Sequence, residues 1–371
     1  MTSPGCKTAK AALLALAGWA AALGAGQASA GATINMGPDQ SVSVGFGLRT
    51  SFTSAEHAAA DGSRSNDFNL DSARLYLGGS LNKQISGMFN TEWDGESIRV
   101  LDAAGKYAVS PELNIWAGRL LSPSDRANMA GPYYSLGGGY WAGVASRYGY
   151  NGGIFRGRDD GVTVWGNVLD GRLGYSIGAF EGHTFGVGAL TQNQASAAGV
   201  RSGDKLMVAG RVQYDFWDLE PGYYGTGNYL GTKDILAIGL AGRSQKQGVL
   251  TTTATGDYRS CSLDFLLEKR LATGAVSLEA AYYDYDLDNV IRAEQGSAWL
   301  IGAGYIVNRW QPFARLQKFK ADNGVDTRQG DLGVNYIIAG YNAQVAALYS
   351  RTKVTGQDDR SKLAVTLQLQ Y

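Results

Sequence analysis

The sequence is poor in cysteine, in proline and in long apolar runs. Its 371 residues include two cysteines and seven prolines. Cys6 lies in an N-terminal leader described below, so the remaining chain keeps only Cys261, and a single cysteine excludes an internal disulfide. After the first thirty residues no stretch approaches the roughly 18 consecutive apolar residues of a membrane-spanning helix, which excludes a second helical span.

Net charge and histidine are also scarce. The chain carries 33 basic and 33 acidic side chains, and domains that bind nucleic acid are usually strongly basic, so nucleic acid is excluded as a partner. The two histidines, His57 and His183, have no second histidine or cysteine at metal-ligand spacing. The sequence also lacks a Cys-x-x-Cys-His haem-attachment motif. We therefore expect no cofactor.

The N-terminus has the pattern of a secretory signal peptide. Lys7 and Lys10 precede an apolar stretch, residues 11–24, that is shorter than the roughly 20 residues a spanning helix needs. Ala28-Ser29-Ala30 then supplies the small residues of a cleavage site. The sequence therefore predicts a signal peptide over residues 1–30 followed by one domain over residues 31–371, which the patterns below identify as a transmembrane β-barrel.

The C-terminal segment shows the clearest alternation of apolar and polar side chains. Side chains of a strand alternate between two faces. One face of this segment is apolar, and it comprises Leu363, Val365, Leu367, Leu369 and Tyr371. The other face is mostly polar. A last strand that ends on an aromatic residue resembles the closing strand that bacterial outer-membrane proteins present to their assembly machinery.

The same two-residue period recurs from Val42 to Tyr349, with polar and small residues sharing the second face. Glycine, at 52 residues, is about twice its usual share of roughly 7%, and 21 tyrosines are present. Short turns alternate with longer polar stretches, which is typical of a transmembrane antiparallel β-barrel. We count about sixteen strands; fourteen or eighteen remain open. A secreted β-sandwich is the alternative, but its buried second face would be less polar.

Residues 113–119 interrupt the pattern. Either Arg119 faces lipid together with Ile115 and Ala117, or a bulge or strand end intervenes. An arginine that faces lipid at mid-bilayer costs about 2–4 kcal/mol, so we favour the bulge or strand end.

The long polar segment 122–157 is the best candidate for a functional loop, because long loops in compact folds are usually functional. In a porin, a loop that folds inward narrows the channel, and charges of both signs across it select solutes by charge and size. By strand parity or by their place near this loop, the candidates for lining such a constriction are Arg49, Arg74, Glu92, Asp102, Lys106, Arg119, Asp125, Arg126, Arg211, Asp264 and Arg315.

Two further motifs are weak. Gly174 to Gly178 matches the nucleophile-elbow pattern Gly-x-Ser-x-Gly, but it lies inside an alternating strand with no helix after it, so we predict no enzyme activity. Asp284, Asp286 and Asp288 begin like a calcium loop. The next residue is Asn289 where such loops carry glycine, so an acidic surface loop is the preferred interpretation.

Four segments resemble the phosphate-selective porin O and P family: Asn66–Leu81 with its Ala-Arg pair, Leu113–Ser124, Arg158–Gly182 and Gln311–Phe319. The resemblance implies a 16-stranded trimeric porin whose third loop folds inward. Where that family often carries lysine before the loop, this chain has Leu121. Phosphate specificity is therefore not carried over.

Together these observations predict an outer-membrane porin with a water-filled channel for passive diffusion of small polar solutes and ions. We expect it in the bacterial outer membrane, in contact with lipid and lipopolysaccharide, as a homotrimer. Two alternatives stay open: an anion- or phosphate-selective channel of the same fold, and a structural barrel that sleeves a periplasmic partner.

Overall fold

The computed structural model describes residues 31–93, 97–148, 155, 157–183, 185–186 and 203–371. The predicted signal peptide and most of the predicted loop 183–203 lie outside these residues. Within the described residues no helix combines the length and the apolar character needed to cross a membrane.

The described chain forms eighteen strands and one short helix. The strands are β1 Ala32–Asn35, β2 Ser41–Ala55, β3 Ser65–Ser80, β4 Ile85–Trp93, β5 Ile98–Ser110, β6 Leu113–Leu121, β7 Arg158–Val168, β8 Leu173–Phe180, β9 Phe185–Gly186, β10 Met207–Asp215, β11 Ile235–Leu250, β12 Thr255–Leu271, β13 Gly274–Asp286, β14 Gly296–Ile306, β15 Trp310–Ala321, β16 Thr327–Ala339, β17 Ala343–Val354 and β18 Arg360–Gln370. The helix, α1, spans Arg126–Ala130.

Sixteen of these strands, β2 to β8 and β10 to β18, form a closed antiparallel ring. β8 pairs with β10, and β18 returns to pair with β2, with Val365 opposite Phe52. The short β1 pairs with β2 beyond the end of β18, and β9 runs parallel to part of β11. The expected sixteen-stranded barrel is confirmed.

The two faces of the ring differ as the alternation predicts. Outward side chains are large and apolar, and Leu240, Leu263 and Leu332 are all more than half exposed. Inward side chains are polar, and Gln311 and Gln317 are fully buried. Lipid can contact the outer face, while closure of the ring satisfies every strand edge without water.

The two ends of the barrel differ in the length of most of their connections. At one end of the barrel most turns span two to four residues, such as 81–84, 169–172 and 307–309. The other end carries longer loops, above all 122–157. The exception at the short-turn end is residues 216–234, which join β10 to β11. This segment was not singled out from the sequence.

The irregularity around residue 119 is a local distortion within β6. Gly118 adopts a φ of +125°, whereas the register shift between Ala108 and Ser110 lies opposite Leu113 and Asn114, at the start of β6. β6 continues past this point to Leu121, where loop 122–157 begins. The pairing of β6 with β5 and β7 is uninterrupted from Asn114 to Arg119, so Arg119 stays on the face of Ile115 and Ala117, and the expectation of a bulge or strand end before it was wrong.

Candidate functional site

The described part of loop 122–157 enters the barrel and is held against the inner wall by Arg49 of β2. The Arg49 guanidinium donates hydrogen bonds to the carbonyl oxygens of Pro132, at 2.9 Å, and of Gly138. A Cβ on Gly139 would lie 2.6 Å from Nη2 of Arg49, and the φ of Gly139 is +147°. Only glycine therefore allows the loop backbone to approach this guanidinium so closely.

Strands on the same half of the ring hold the rest of the loop. Arg315 of β15 donates to the carbonyl oxygen of Leu136 at 2.9 Å. Tyr285 of β13 donates to the carbonyl oxygen of Ala145 at 2.8 Å. These bonds satisfy loop backbone groups that would otherwise be buried without partners. The loop consequently covers the inner wall from β11 to β18 and β2.

Arg126 of α1 lies at the centre of a buried charge cluster. Its guanidinium is 1% exposed and binds both carboxylate oxygens of Glu220 at 2.8 Å. Its Nε lies 3.6 Å from Oδ1 of Asp264, which also accepts a 2.8 Å hydrogen bond from Arg211. Burial lowers the pKa of Arg126, but the Glu220 carboxylate outweighs this effect, so the pKa is raised and the side chain stays charged.

A glycine in the intervening strand makes part of this cluster possible. Arg211 lies in β10 and Asp264 in β12, and β11 runs between them with Gly239 opposite Asp264. A Cβ at position 239 would lie 2.2 Å from Nη2 of Arg211 and 2.6 Å from Oδ1 of Asp264. Because Gly239 has no side chain, Arg211 can reach across β11 to Asp264.

Asp125 caps α1 and joins it to the wall. Its carboxylate accepts hydrogen bonds from the backbone N–H of Asn128 at 3.2 Å and from the hydroxyl of Tyr283 at 3.0 Å. Burial, and after it the nearby carboxylate of Asp264, raise the pKa of Asp125. The first turn of the helix is thus anchored to β13.

Segment 216–234 also folds into the barrel, from the short-turn end. The backbone N–H of Gly227 donates to the carbonyl oxygen of Tyr134 at 3.0 Å. Tyr223 donates to the carbonyl oxygen of Leu121 at 2.6 Å. Both acceptors flank or belong to loop 122–157, and Glu220 of the segment binds Arg126. The lumen is therefore narrowed by two segments that meet inside it.

Sequence reasoning missed this second constriction. The sequence feature that could have revealed it is residues 216–234. These 19 residues lack the two-residue alternation and contain Pro221, Gly222 and two consecutive tyrosines. A turn at this end of a barrel needs only a few residues, so the excess length was informative.

The other half of the wall, β3 to β7, also carries buried ion pairs. Nε of Arg74 lies 2.8 Å from Oε1 of Glu92, and the two residues are register partners. Nε of Arg158 lies 3.0 Å from Oδ1 of Asp102. Arg74 also donates to the hydroxyl of Tyr140 in the loop, at 2.8 Å.

An aromatic group lies beside these pairs. Nζ of Lys106 is 4.2 Å from the centre of the Trp116 ring, a cation–π geometry. Trp116 also contacts the rings of Trp165, Tyr223 and Tyr224, at centroid distances of 5.4, 4.8 and 5.9 Å. These tryptophan and tyrosine rings line the inner face of the barrel wall next to segment 216–234.

Most of the predicted constriction residues occupy inward positions. Wall residues on inward faces are Arg49, Arg74, Glu92, Asp102, Lys106, Arg211, Asp264 and Arg315, and Asp125 and Arg126 belong to the inward loop. Arg119 departs from the prediction. It shares the outward parity of Ala117 and lies 3.3 Å from the exposed Asp160 carboxylate. Because β6 ends two residues later and Asp160 neutralises the charge, an outward arginine is tolerated there.

The predicted calcium-like run does not gather its carboxylates around one point. Asp284 and Asp286 lie on the outward face of β13, and Asp286 pairs with Arg259 at 3.1 Å. The carboxylate of Asp288 instead accepts a hydrogen bond from the backbone N–H of Asp257. Residues 174–178, the formal nucleophile-elbow match, lie within β8.

A different trio brings potential ligand atoms together within the described residues. Atoms of Asp159, Glu181 and His183 all lie within 4.8 Å of one another. Nδ1 of His183 is 3.2 Å from Oδ1 of Asp159, so a contact within the protein accounts for the closeness of these two residues.

No protein-family model matches the sequence, and no curated protein matches it. Solved structures do share the fold. An anion-selective porin from Comamonas acidovorans is 12% identical, with a TM-score of 0.61 over 90% of this chain and 100% of that one. OprB of Pseudomonas putida is 10% identical, with a TM-score of 0.63 over 89% and 94%. OmpT of Vibrio cholerae is 13% identical, with a TM-score of 0.59 over 91% and 100%. The fold is that of outer-membrane porins.

Proposed function

We propose that this chain is a bacterial outer-membrane porin through which small polar solutes and ions diffuse passively. One observation carries the proposal: a closed ring of strands is apolar outside and carries charged and polar side chains inside. Such a ring excludes lipid from a wet interior. The channel narrows where loop 122–157 and segment 216–234 meet. No reaction is assigned, because the one nucleophile-like motif, around Ser176, is an ordinary strand.

Planar-bilayer recording tests this function. Purified protein should insert from detergent and give stable current steps that are proportional to voltage. Detergent without protein serves as the control. Folded protein that inserts into vesicles but carries no current would contradict the proposal.

Anion preference is the second candidate for the same pore. On the β3 to β7 wall, the cations of Arg74, Lys106 and Arg158 face the carboxylates of Glu92 and Asp102. One similar structure is of an anion-selective porin. Lys106 is the cation whose nearest described contact is a neutral ring. Because Lys106 has no described ion-pair partner, its charge can attract anions that enter the pore.

Reversal potentials in a salt gradient measure this preference. We expect the reversal potential of the wild type to have the sign that indicates anion selectivity. In Lys106→Gln we expect the reversal potential to move toward zero. The matched control is Lys83→Gln, because Lys83 is exposed in a short turn. A reversal potential of zero in the wild type would mean that the pore does not select between anions and cations.

The motifs that resemble those of the phosphate-selective porin O and P family support kinship with that family. They do not support phosphate specificity, because Leu121 stands where the family often carries lysine.

We also infer that cleavage after Ala30 produces the mature chain. Gly31 lies against the C-terminal aromatic ring: a Cβ at 31 would be 2.1 Å from Cδ1 of Tyr371. An N-terminus at Gly31 would thus meet the C-terminus where β1 continues the line of β18. Mass spectrometry of the purified protein should give a chain that begins at Gly31, and an intact leader would contradict this.

A homotrimer embedded in lipid and lipopolysaccharide is our proposed assembly. One similar structure is of a trimer form of Vibrio cholerae OmpT, 14% identical. Light scattering in detergent should give three times the chain mass. A structural sleeve for a periplasmic protein is disfavoured, because the two inward segments occupy much of the lumen that such a partner would need.

A further inference from the structure

A row of basic side chains crosses the outer face of the barrel near its long-loop end. Lys318 of β15 is the register partner of Arg328 of β16, which is also the register partner of Lys353 of β17. Register partners in antiparallel strands point to the same side of the sheet. This side is the outer one, because Leu316 and Leu332, at even spacing along the same strands, are exposed. The three cations, called the cation row below, span roughly 10 Å of the outer face.

The cation row is unfavourable by itself, because like charges directly opposite each other destabilise a sheet. Two carboxylates offset part of the charge. Asp326 lies 2.9 Å from Nζ of Lys318, and Asp359 lies 2.7 Å from Nζ of Lys353. Asp359 also lies 2.7 Å from Nη2 of Arg351, which is on the same outer face of β17. The row and Arg351 therefore comprise four cations that share two carboxylates, an excess of two positive charges.

Arg328, in the middle of the row, receives none of this compensation. Its side chain is exposed and makes no ion pair or hydrogen bond with the residues that the structure describes. Arg259, an exposed arginine at the long-loop end of β12, differs in this respect. The carboxylates of Asp257 and Asp286 lie 2.8 and 3.1 Å from its guanidinium. The outer face thus matches one arginine with two acids and leaves the other for an anion from outside the chain.

The row lies level with aromatic side chains on the neighbouring strands. Lys318 is the register partner of Trp299 of β14, and Trp299 is the register partner of Tyr282 of β13. These rings are 37% and 52% exposed on the outer face. Barrels carry such rings where hydrocarbon meets the headgroups, and their longer loops are extracellular. The row therefore lies at the headgroup level of the outer leaflet, where it meets anions that are joined to acyl chains.

We infer that Lys318, Arg328 and Lys353 bind a phosphate group of lipopolysaccharide. The guanidinium of Arg328 offers parallel N–H donors that match two phosphate oxygens, and the two lysines add charge. Exposed ion pairs are weak, so a phosphate can compete with Asp326 and Asp359 for the lysines. The acyl chains of the same molecule then lie against the apolar outer face toward the middle of the strands. The inference rests on the proposed contact with lipopolysaccharide and names the site of that contact.

Titration of the detergent-solubilised protein with lipopolysaccharide tests the site. Arg328→Gln should raise the dissociation constant about tenfold, as loss of a charge-assisted hydrogen bond does. Arg328→Lys keeps the charge but loses the paired donors, so it should give a smaller rise. The matched control is Arg259→Gln, which should leave the dissociation constant unchanged. Lipopolysaccharide freed of its phosphate groups should bind the wild type and Arg328→Gln equally.

Other results would overturn the inference. Equal dissociation constants for the wild type and Arg328→Gln, with both shown to be folded by circular dichroism, would mean that the row does not bind phosphate. Displacement of lipopolysaccharide by millimolar inorganic phosphate would mean a site for the free anion.

Conductance in bilayers of uncharged lipid separates this inference from the proposed function, because it requires no lipopolysaccharide. Current without binding of lipopolysaccharide would remove the site and retain the channel. Binding that is weakened in Arg328→Gln, without current in any variant, would retain the site and remove the channel.

Discussion

At the residue scale, Arg126 shows how the lumen is organised. It belongs to loop 122–157, yet its partners are Glu220 from the opposite end of the barrel and Asp264 from the wall. Gln213 accepts a further hydrogen bond from it at 2.9 Å. A buried guanidinium is tolerated when carboxylates lie beside it and most of its donors are matched, and here both terminal nitrogens donate hydrogen bonds. One side chain thus joins both inward segments to the ring.

Removing the main partner should be costly. Glu220→Gln removes the carboxylate that binds Arg126 directly and leaves Asp264, at 3.6 Å, as its next ion-pair partner. Loss of one partner of a buried pair costs about 3–5 kcal/mol, and we expect the lower end of this range because Asp264 remains. Urea unfolding in detergent measures the free energy. Glu112→Gln, in an exposed turn, is the control, and equal stability of the two variants would contradict the role of Glu220.

Asp234 is expected to control the base of segment 216–234 in a pH-dependent way. A hydrogen bond from Lys269, and after it one from the backbone N–H of Arg270, hold the pKa of Asp234 well below its usual value. A depressed carboxyl pKa stabilises the fold at pH values above the unfolded pKa of about 3.9. That contribution disappears as the pH falls from there through the lowered folded pKa.

The measurement compares the wild type with Asp234→Asn. From pH 8 down to about pH 5, the melting temperature of the variant should be slightly lower than that of the wild type. This difference in melting temperature should shrink below about pH 4. The effect is small because Asp234 is at the surface. A difference that grows as the pH falls would show that the sign is wrong.

Strand parity is enough to place most of these side chains from the sequence alone. It put Arg74 and Glu92 on inward faces, because polar residues alternate with apolar ones in β3 and β4. The pore-lining prediction for Arg119 was wrong because it assumed a bulge; strand parity alone puts Arg119 outward, and the counter-charge of Asp160 on the next strand, which makes this tolerable, is not visible in the local pattern.

At the element scale, segment 216–234 is the feature that most changes the pore. Its base continues the hairpin of β10 and β11, because Phe216 donates to the carbonyl oxygen of Leu236 and Asp218 to that of Asp234. Only residues 219–233 leave this hairpin and enter the lumen. The constriction can therefore be removed without altering the ring.

Replacing residues 219–233 with Asn-Gly tests this. A two-residue Asn-Gly turn suits an antiparallel hairpin that ends at the pair Asp218 and Asp234. We expect a larger single-channel conductance, since one of the two inward segments is gone. Circular dichroism should show the same strand content. Unchanged conductance in a folded variant would mean that loop 122–157 alone limits the current.

At the scale of the whole molecule, the barrel depends on contact between its outer face and lipid. Val365 lies near the middle of β18, the strand that closes the ring against β2, and it is 51% exposed. A lipid-facing arginine at mid-bilayer costs about 2–4 kcal/mol.

Val365→Arg should therefore lower the free energy of unfolding in lipid vesicles by about 2–4 kcal/mol. Val365→Met, which stays apolar, is the control and should change it little. Equal stability of the two variants would indicate that this face does not contact hydrocarbon.

The sequence by itself determined the wall. The two-residue alternation, the short turns and the aromatic C-terminus predicted a ring of about sixteen strands, because lipid on one side and water on the other impose that period on every strand. Only the tertiary structure decided what fills the ring. The pairing of Arg126 with Glu220 and the room made by Gly239 join residues far apart in the chain. Such contacts depend on closure of the barrel and have no local period to reveal them.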